Sequence, residues 1–221
     1  MTHKIKGIVF DMDGVLVDTE EFYYERRKNF LKEYGLSIDE IPIATFIGAD
    51  MRSIWPLVLS INKDQQHSEA FLNEQYLEYK REHPLDFVSL LDADAKRTLQ
   101  FLKRNNYKIG LASSSQMEAI EEMLESTQLK QYFDSIVSGE DFEKSKPEPE
   151  IYQYAVAELK LTPEECIAIE DSEKGIQSAH AAGLTVWAIK DTRFGINQNL
   201  ANDTLEKLSE MCRKLSDCQS E

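Results

Sequence analysis

The stretch IVFDMDGVLVD, residues Ile8–Asp18, decides how this chain is interpreted. An apolar run ends at Phe10, the acids Asp11 and Asp13 follow, and Gly14 comes directly after them. A short apolar run of this kind is typical of a strand buried on both faces of a parallel sheet. Two carboxylates are therefore expected just beyond the end of a buried strand. One of them can attack an electrophile while the other transfers a proton.

Strands and helices alternate in the sequence pattern outside one helical block. The first strand is predicted over 5–10, and residues 19–85 show only helical patterns, with helices at 51–59 and 68–82. Pro56 is expected to kink or end the first of these two helices, and Pro84 to stop the second. Beyond Pro84 the predicted helices are 94–105, 116–125, 149–159, 173–182 and one beginning near 203. The predicted strands there are 107–112, 135–137, 166–169 and 184–189.

This alternation predicts an α/β fold, a Rossmann-like doubly wound parallel sheet core with an inserted all-helical cap domain. The core domain is predicted over 1–17 and 88–221, and the cap domain over 18–87.

Composition narrows the possible partners and the compartment. The 221 residues are 42% hydrophobic, which suffices for a core, and 40 acids against 25 bases give a net charge of −15. A field of that sign repels nucleic acid and anionic lipid, so neither is expected as a partner. No apolar run approaches membrane-spanning length. Three scattered cysteines favour a reducing cytoplasm over a disulfide framework, and a monomer is the default expectation.

Polar side chains follow the other predicted strands as well. Ser113, Ser114 and Ser115 follow 107–112, Lys146 lies in the loop after 135–137, and Glu170-Asp171 follows 166–169. Ligands of open parallel sheets bind at the carboxyl ends of the strands. Together with Asp11 and Asp13, these residues predict a site for phosphoryl chemistry.

The acids suit a metal-assisted transfer. Asp11, Glu170 and Asp171 offer the hard oxygen ligands that Mg²⁺ prefers, and the cation would screen Asp11 from an anionic phosphate. Asp11 can then form an aspartyl-phosphate, which divides one difficult step into two easier ones. Asp13 can protonate the leaving oxygen as general acid and afterwards activate water as general base.

Two further groups suit the phosphate itself. Ser113, with Ser114 beside it, can donate hydrogen bonds to phosphate oxygens on which charge develops. Lys146 can balance the charges of Asp11 and the phosphate as a point charge. A small phosphorylated metabolite is therefore the expected partner.

The order of these motifs resembles the haloacid dehalogenase superfamily over nearly the whole chain. The similarity is greatest to its small-helical-cap subgroup of β-phosphoglucomutase-like and sugar-phosphatase enzymes. The motifs that carry it are Asp11-Met12-Asp13-Gly14 with Asp18, Ser113, Lys146-Pro147-Glu148-Pro149, and Glu170-Asp171-Ser172 before Gly175.

The resemblance implies a role for each matching residue. Asp11 would be the nucleophile and Asp13 the acid/base, with Ser113 and Lys146 on the phosphate. Mg²⁺ would be held by Asp11, the Asp13 carbonyl and Asp171, with Glu170 assisting directly or through water.

Two positions depart from the family pattern. Tyr23 stands where the mutases of the family carry a histidine, and Asp92-Ala93 stands where Pro-Gly is usual. The leading interpretation is therefore Mg²⁺-dependent hydrolysis of a small phosphorylated metabolite, in particular a sugar phosphate. A phosphosugar mutase of the β-phosphoglucomutase type and a non-catalytic binding or regulatory protein on this fold are the alternatives. Candidates for substrate contact in the cap are Thr19, Glu20, Gly48 and Arg52.

Overall fold

The computed structural model describes residues 4–49 and 51–218, and its core is a six-stranded parallel sheet. The strands lie in the order β3-β2-β1-β4-β5-β6. Their bounds are Gly7–Phe10 (β1), Lys108–Ser113 (β2), Ser135–Ser138 (β3), Cys166–Glu170 (β4), Thr185–Ile189 (β5) and Asp203–Leu205 (β6). The predicted Rossmann-like α/β fold is confirmed.

The strand order reverses beside β1, which pairs with β2 on one side and with β4 on the other. Connections between parallel strands are right-handed, so the reversal places successive helices on opposite faces of the sheet. Loops at the carboxyl ends of β1 and β4 then diverge and leave a crevice, where ligands bind in folds of this kind. Asp11 directly follows β1, and Asp171 directly follows β4.

The described residues also form nine α-helices. Their bounds are Glu20–Glu33 (α1), Met51–Asn62 (α2), Glu69–Glu82 (α3), Phe87–Leu90 (α4), Ala95–Arg104 (α5), Met117–Ser126 (α6), Glu150–Glu158 (α7), Glu173–Ala181 (α8) and Glu210–Cys218 (α9). None of the described helices is both long enough and apolar enough to cross a membrane.

One face of the sheet packs against α7 and α8 in a continuous apolar core. Small side chains of the strands, such as Ala112 and Ala168, allow the two helices to approach closely. The helices contribute larger residues, among them the fully buried Tyr152 of α7 and Ile176 of α8. This packing fixes the positions of the loops that precede α7 and α8, and those loops carry Lys146 and Asp171.

The chain divides into two compact units, Met1–Asp18 with Phe87–Glu221, and Thr19–Asp86. The boundaries predicted for the cap differ from these by one residue at each end. The second unit contains no strand among its described residues and has its own apolar core, which includes Phe30, Trp55 and Tyr76.

One sequence-based expectation about an element is wrong. Residues Asp203–Leu205 form β6 instead of beginning the last helix, which starts at Glu210. Backbone bonds from Asn202 to Val186 and from Lys190 to Leu205 pair this segment with the open edge of β5, and this tertiary pairing overrides the helix predicted to begin near 203. Of the two outcomes expected for Pro56, a kink or an end of the helix, the end is excluded, because α2 continues to Asn62.

Candidate active site

Asp11 lies at the carboxyl end of β1, next to β4. Its backbone N–H donates to the Ile169 carbonyl at 2.9 Å, so the sheet holds this residue up to the point where its side chain leaves the strand. The side chain is buried, and Oδ1 accepts a hydrogen bond from Lys146 Nζ at 2.8 Å. Asp11 is thus a buried carboxylate at the end of a strand that is paired on both sides.

Lys146 joins three elements at this site. Its ammonium group donates to Asp11 Oδ1 at 2.8 Å, Glu170 Oε1 at 2.7 Å and the Ala112 carbonyl at 3.0 Å. An ammonium group has three hydrogens, and each has an acceptor. The desolvation of this buried lysine is therefore offset by two carboxylates and one strand-end carbonyl.

Glu170 has both carboxylate oxygens occupied by protein donors. Oε1 accepts from Lys146 and from the Tyr152 hydroxyl at 2.6 Å, while Oε2 accepts from Asp171 N–H and the Ser172 hydroxyl, each at 3.2 Å. Burial, with the Glu170 charge adding to it, raises the pKa of Tyr152 well above its ordinary value, so the phenol keeps its proton and donates. Sequence reasoning missed Tyr152, because a tyrosine on the apolar face of a helix gives no signal of a polar partner.

The metal-binding potential of the site depends on three acids. Carboxylate oxygens of Asp11, Glu170 and Asp171 lie within 4.8 Å of one another. Gly14 makes room for them: its φ is +76°, and a Cβ there would lie 1.9 Å from Asp171 Oδ2. Three clustered carboxylates face one lysine, and an all-oxygen donor set is what Mg²⁺ prefers. The residues present therefore fit a divalent cation.

Asp13 is held by a serine that sequence reasoning named but gave no role. The Ser115 hydroxyl donates to Asp13 Oδ2 at 2.9 Å, and the Ser138 hydroxyl donates to the Ser115 carbonyl at 2.8 Å. The Gly14 N–H donates to the Val17 carbonyl at 2.8 Å and closes the turn after Asp13. The loops after β1 and β2 and the last residue of β3 therefore jointly orient the second acid of the motif.

The predicted phosphate-binding serines lie at the end of β2. Ser113 is fully buried, and its Oγ accepts the Ser115 N–H at 3.1 Å. Ser114 is partly buried, and its Cα would lie 3.0 Å from a Cβ placed on Gly139. The neighbouring Ala112 carbonyl binds Lys146, so the loop borders the ion-pair network. Phosphate contact by these serines stays a prediction.

The electrostatics of the network show an unbalanced negative charge. Burial raises the pKa of Asp11 to about 7, Lys146 opposes this rise, and the charges of Glu170 and Asp13 add to it. Burial by itself would lower the pKa of Lys146, but the carboxylates of Asp11 and Glu170 outweigh it and raise that pKa. One lysine does not compensate the surrounding acids. A further positive charge would favour the ionised, nucleophilic form of Asp11.

The substrate-contact candidates of the cap belong to the helical unit. Thr19 is the N-cap of α1 and Glu20 its first residue, and both are buried. Gly48 has a φ of +63° and lies in the turn before α2, whereas Arg52 is exposed in the first turn of α2. Their role in substrate binding stays a prediction.

Comparisons with known proteins agree with this geometry. The model of the haloacid dehalogenase-like hydrolase family matches residues 8–189. A phosphorylated carbohydrates phosphatase from Thermotoga maritima is 31% identical over 182 residues, covering 81% of this chain and 82% of the relative. A β-phosphoglucomutase from Bacillus subtilis is 29% identical over 185 residues, 81% of each protein. A solved β-phosphoglucomutase from Clostridium difficile shares the fold, with a TM-score of 0.80 at 23% identity over 98% of this chain and 100% of that one.

Proposed function

The chain belongs to the haloacid dehalogenase-like hydrolase family and is a phosphoric monoester hydrolase, and we propose that it hydrolyses a small sugar phosphate with Mg²⁺ through an aspartyl-phosphate. The observation that carries the proposal is the buried network in which Lys146 binds Asp11 and Glu170, with Asp171 beside them. The name of the Thermotoga maritima relative supports a carbohydrate phosphate as the substrate class.

The metal would be held mainly by Asp11 and Asp171, with the Asp13 carbonyl. Both oxygens of Glu170 already accept two hydrogen bonds each, which favours contact through water for this residue. Bound Mg²⁺ would supply positive charge that reduces the repulsion between the Asp11 carboxylate and an anionic phosphate.

The chain's own residues then perform two transfers. Asp11 attacks the phosphorus, and the bond to the sugar oxygen breaks while Asp13 gives that oxygen a proton. Asp13 next takes a proton from a water molecule, which attacks the phosphorus and releases inorganic phosphate and free Asp11. Lys146 stays protonated throughout and orients the Asp11 carboxylate. Ser113 and Ser114 would donate to phosphate oxygens during both steps.

The helical unit is proposed to act as the cap domain, for which the sequence predicts 18–87, and to select the substrate through Thr19, Glu20, Gly48 and Arg52. Among these, Arg52 is suited to a phosphate or hydroxyl-rich group because guanidinium is planar and offers several donors. Such contacts explain how chains with the same catalytic core act on different metabolites.

Substitution of the nucleophile tests the proposal. Asp11→Asn removes the attacking carboxylate and is expected to lower kcat for phosphate release at least about 10³-fold, since covalent catalysis is lost. EDTA is expected to silence the wild-type chain, and added Mg²⁺ to restore it. Phosphate release is measured over a panel of sugar phosphates, phosphoglycolate and nucleotides, with circular dichroism as the control for folding. Substantial turnover by Asp11→Asn, or turnover that survives EDTA, would contradict the mechanism.

The mutase alternative differs only in the acceptor of the phosphoryl group. In that reaction Asp13 activates a sugar hydroxyl instead of water. Tyr23, in place of the histidine of the family's mutases, favours hydrolysis. Incubation with β-glucose 1-phosphate distinguishes the two, because a mutase forms glucose 6-phosphate whereas a phosphatase releases phosphate and glucose.

A further inference from the structure

The segment 191–198, which follows β5, binds the loop that carries Asp171. On the premise that Asp171 binds Mg²⁺ as proposed above, we propose that Gln198 is a positioning residue of the metal site. Its side-chain Nε2 donates to the Asp171 carbonyl and to the Ile189 carbonyl, each at 2.8 Å. Its Oε1 accepts from the Asp191 N–H at 3.1 Å. Both the amide nitrogen and the amide oxygen of Gln198 are therefore hydrogen-bonded, and the side chain connects the ends of β4 and β5.

The bridge lies where β4 and β5 stop pairing with each other. The last registered pair of β4 and β5 is Glu170 with Ala188, and Asp171 and Ile189 are the next residues on the two strands. The ladder between β4 and β5 ends at that pair, so it does not determine where the Asp171 carbonyl points. Gln198 supplies donors at that position and holds the two carbonyls at a fixed separation. The backbone from which the Asp171 carboxylate extends is thereby held in place.

The segment is itself rigid enough to serve as a support. The Asp191 carboxylate accepts backbone N–H groups of Arg193, Phe194 and Ile196 at 2.9, 2.9 and 2.6 Å. Such a side chain, closing a turn on its own backbone, limits the conformations of the loop. Asn197 Nδ2 also donates to Glu173 Oε1 at 2.8 Å, which ties the segment to the first turn of α8.

Small movements of Asp171 are expected to have a large effect on Mg²⁺ affinity, because its carboxylate is confined. Asp171 Oδ2 lies 1.9 Å from the point where a Cβ on Gly14 would stand, so the acid rests directly against the turn after Asp13. Mg²⁺ demands near-ideal octahedral geometry and tolerates displaced ligands poorly. Residues that orient a metal ligand without touching the metal typically change its affinity about 10- to 100-fold when they are replaced.

The test is the Mg²⁺ affinity of Gln198→Met, which keeps the length of the side chain and removes the amide. Isothermal titration of the metal-free chain with MgCl₂ is expected to show binding about 10- to 100-fold weaker than in the wild type. The kcat at saturating Mg²⁺ should fall less than the affinity does. Asn199→Met in the same exposed stretch is the matched control, expected to bind Mg²⁺ within about twofold of the wild type. Gln198→Asn, whose amide is one methylene too short for the bridge, serves if Gln198→Met does not fold.

The results of these titrations distinguish a failure of the positioning role of Gln198 from a failure of the proposed function. Wild-type affinity in a folded Gln198 variant, or an equal loss in Asn199→Met, would overturn the positioning role while leaving the phosphatase intact. A wild-type chain that neither binds Mg²⁺ nor releases phosphate from the panel would instead refute the proposed function on which the role of Gln198 depends.

Discussion

Gly175 lies directly beneath the Glu170 carboxylate, and Gly175→Ala is expected to destabilise the chain and to damage the site. A Cβ at this position would stand 2.0 Å from Glu170 Cδ and Oε1 and 2.1 Å from Oε2. Non-bonded carbon atoms pack at about 3.5–4.0 Å, so the carboxylate would have to move by about 1.5 Å. Glu170 is fully buried and bound by Lys146 and Tyr152, so it has no free space into which it could turn.

Two opposing effects determine how much Gly175→Ala changes the free energy of unfolding. Alanine inside a helix is favoured over glycine by about 1 kcal/mol, which would stabilise α8. Against this, overpacking costs about 1–3 kcal/mol, and breaking a buried ion pair costs about 3–5 kcal/mol. The expected net loss is therefore about 3 kcal/mol or more. At about 2–4 °C per kcal/mol for a chain of this size, that loss lowers Tm by about 6–12 °C.

Urea unfolding and thermal unfolding of the variant measure this loss, and phosphate release measures the damage to the site. Gly195→Ala is the matched control. Gly195 has a φ of +71° and no atom within 4 Å of the added Cβ, so its expected cost is only about 1–2 kcal/mol of backbone strain. In the double variant with Glu170→Asp, the shorter side chain withdraws the carboxylate by one methylene. The loss in the free energy of unfolding should therefore be smaller than the sum of the losses in the two single variants. A Gly175→Ala variant as stable as the wild type, or additive effects in the double variant, would contradict the predicted clash with Glu170.

Two further predictions concern residues that donate hydrogen bonds to carboxylates of the site. Tyr152→Phe removes the hydroxyl that donates to Glu170 at 2.6 Å and should lower the free energy of unfolding by about 1–3 kcal/mol, since a buried charged acceptor loses a donor. Unchanged urea unfolding would contradict this. Ser115→Ala removes the hydroxyl that donates to Asp13 at 2.9 Å and should lower kcat about tenfold, the equivalent of about 1.4 kcal/mol. Ser115→Thr, which keeps the hydroxyl, should recover most of that loss, and equal kcat values for the two variants would count against the role.

The parts of the fold that sequence predicted well are those with a local signal. The apolar run before Asp11 and the runs before Ser113 and Glu170 identified strands, because burial on both faces of a sheet requires a segment that is nearly all apolar. Residues Asp203–Leu205 carried no such signal. Their strand exists because the edge of β5 offers unpaired backbone groups, and a three-residue strand is too short to show a period of its own.

The candidate site shows the same division between local signals and long-range packing. Asp11 and Asp13 were found because they follow a strand within one short motif. The roles of Tyr152, Ser115 and Gln198 were missed, because each acts through a partner that no local pattern connects to it. Ser115 contacts an acid 102 residues away in sequence, and Gln198 contacts a carbonyl 27 residues away.

By itself, the sequence determined the α/β class, the helical block within it and the chemical identity of the acids, serines and lysine at the strand ends. Those properties follow from hydrophobic period and residue type, which are local. Only the tertiary structure decided that Lys146 bonds to both Asp11, 135 residues away, and Glu170, and that Gly14 and Gly175 leave room for the acids beside them. Such relations depend on which strands become neighbours in the sheet, and hydrogen bonds and steric fit between distant segments form only when the whole chain packs.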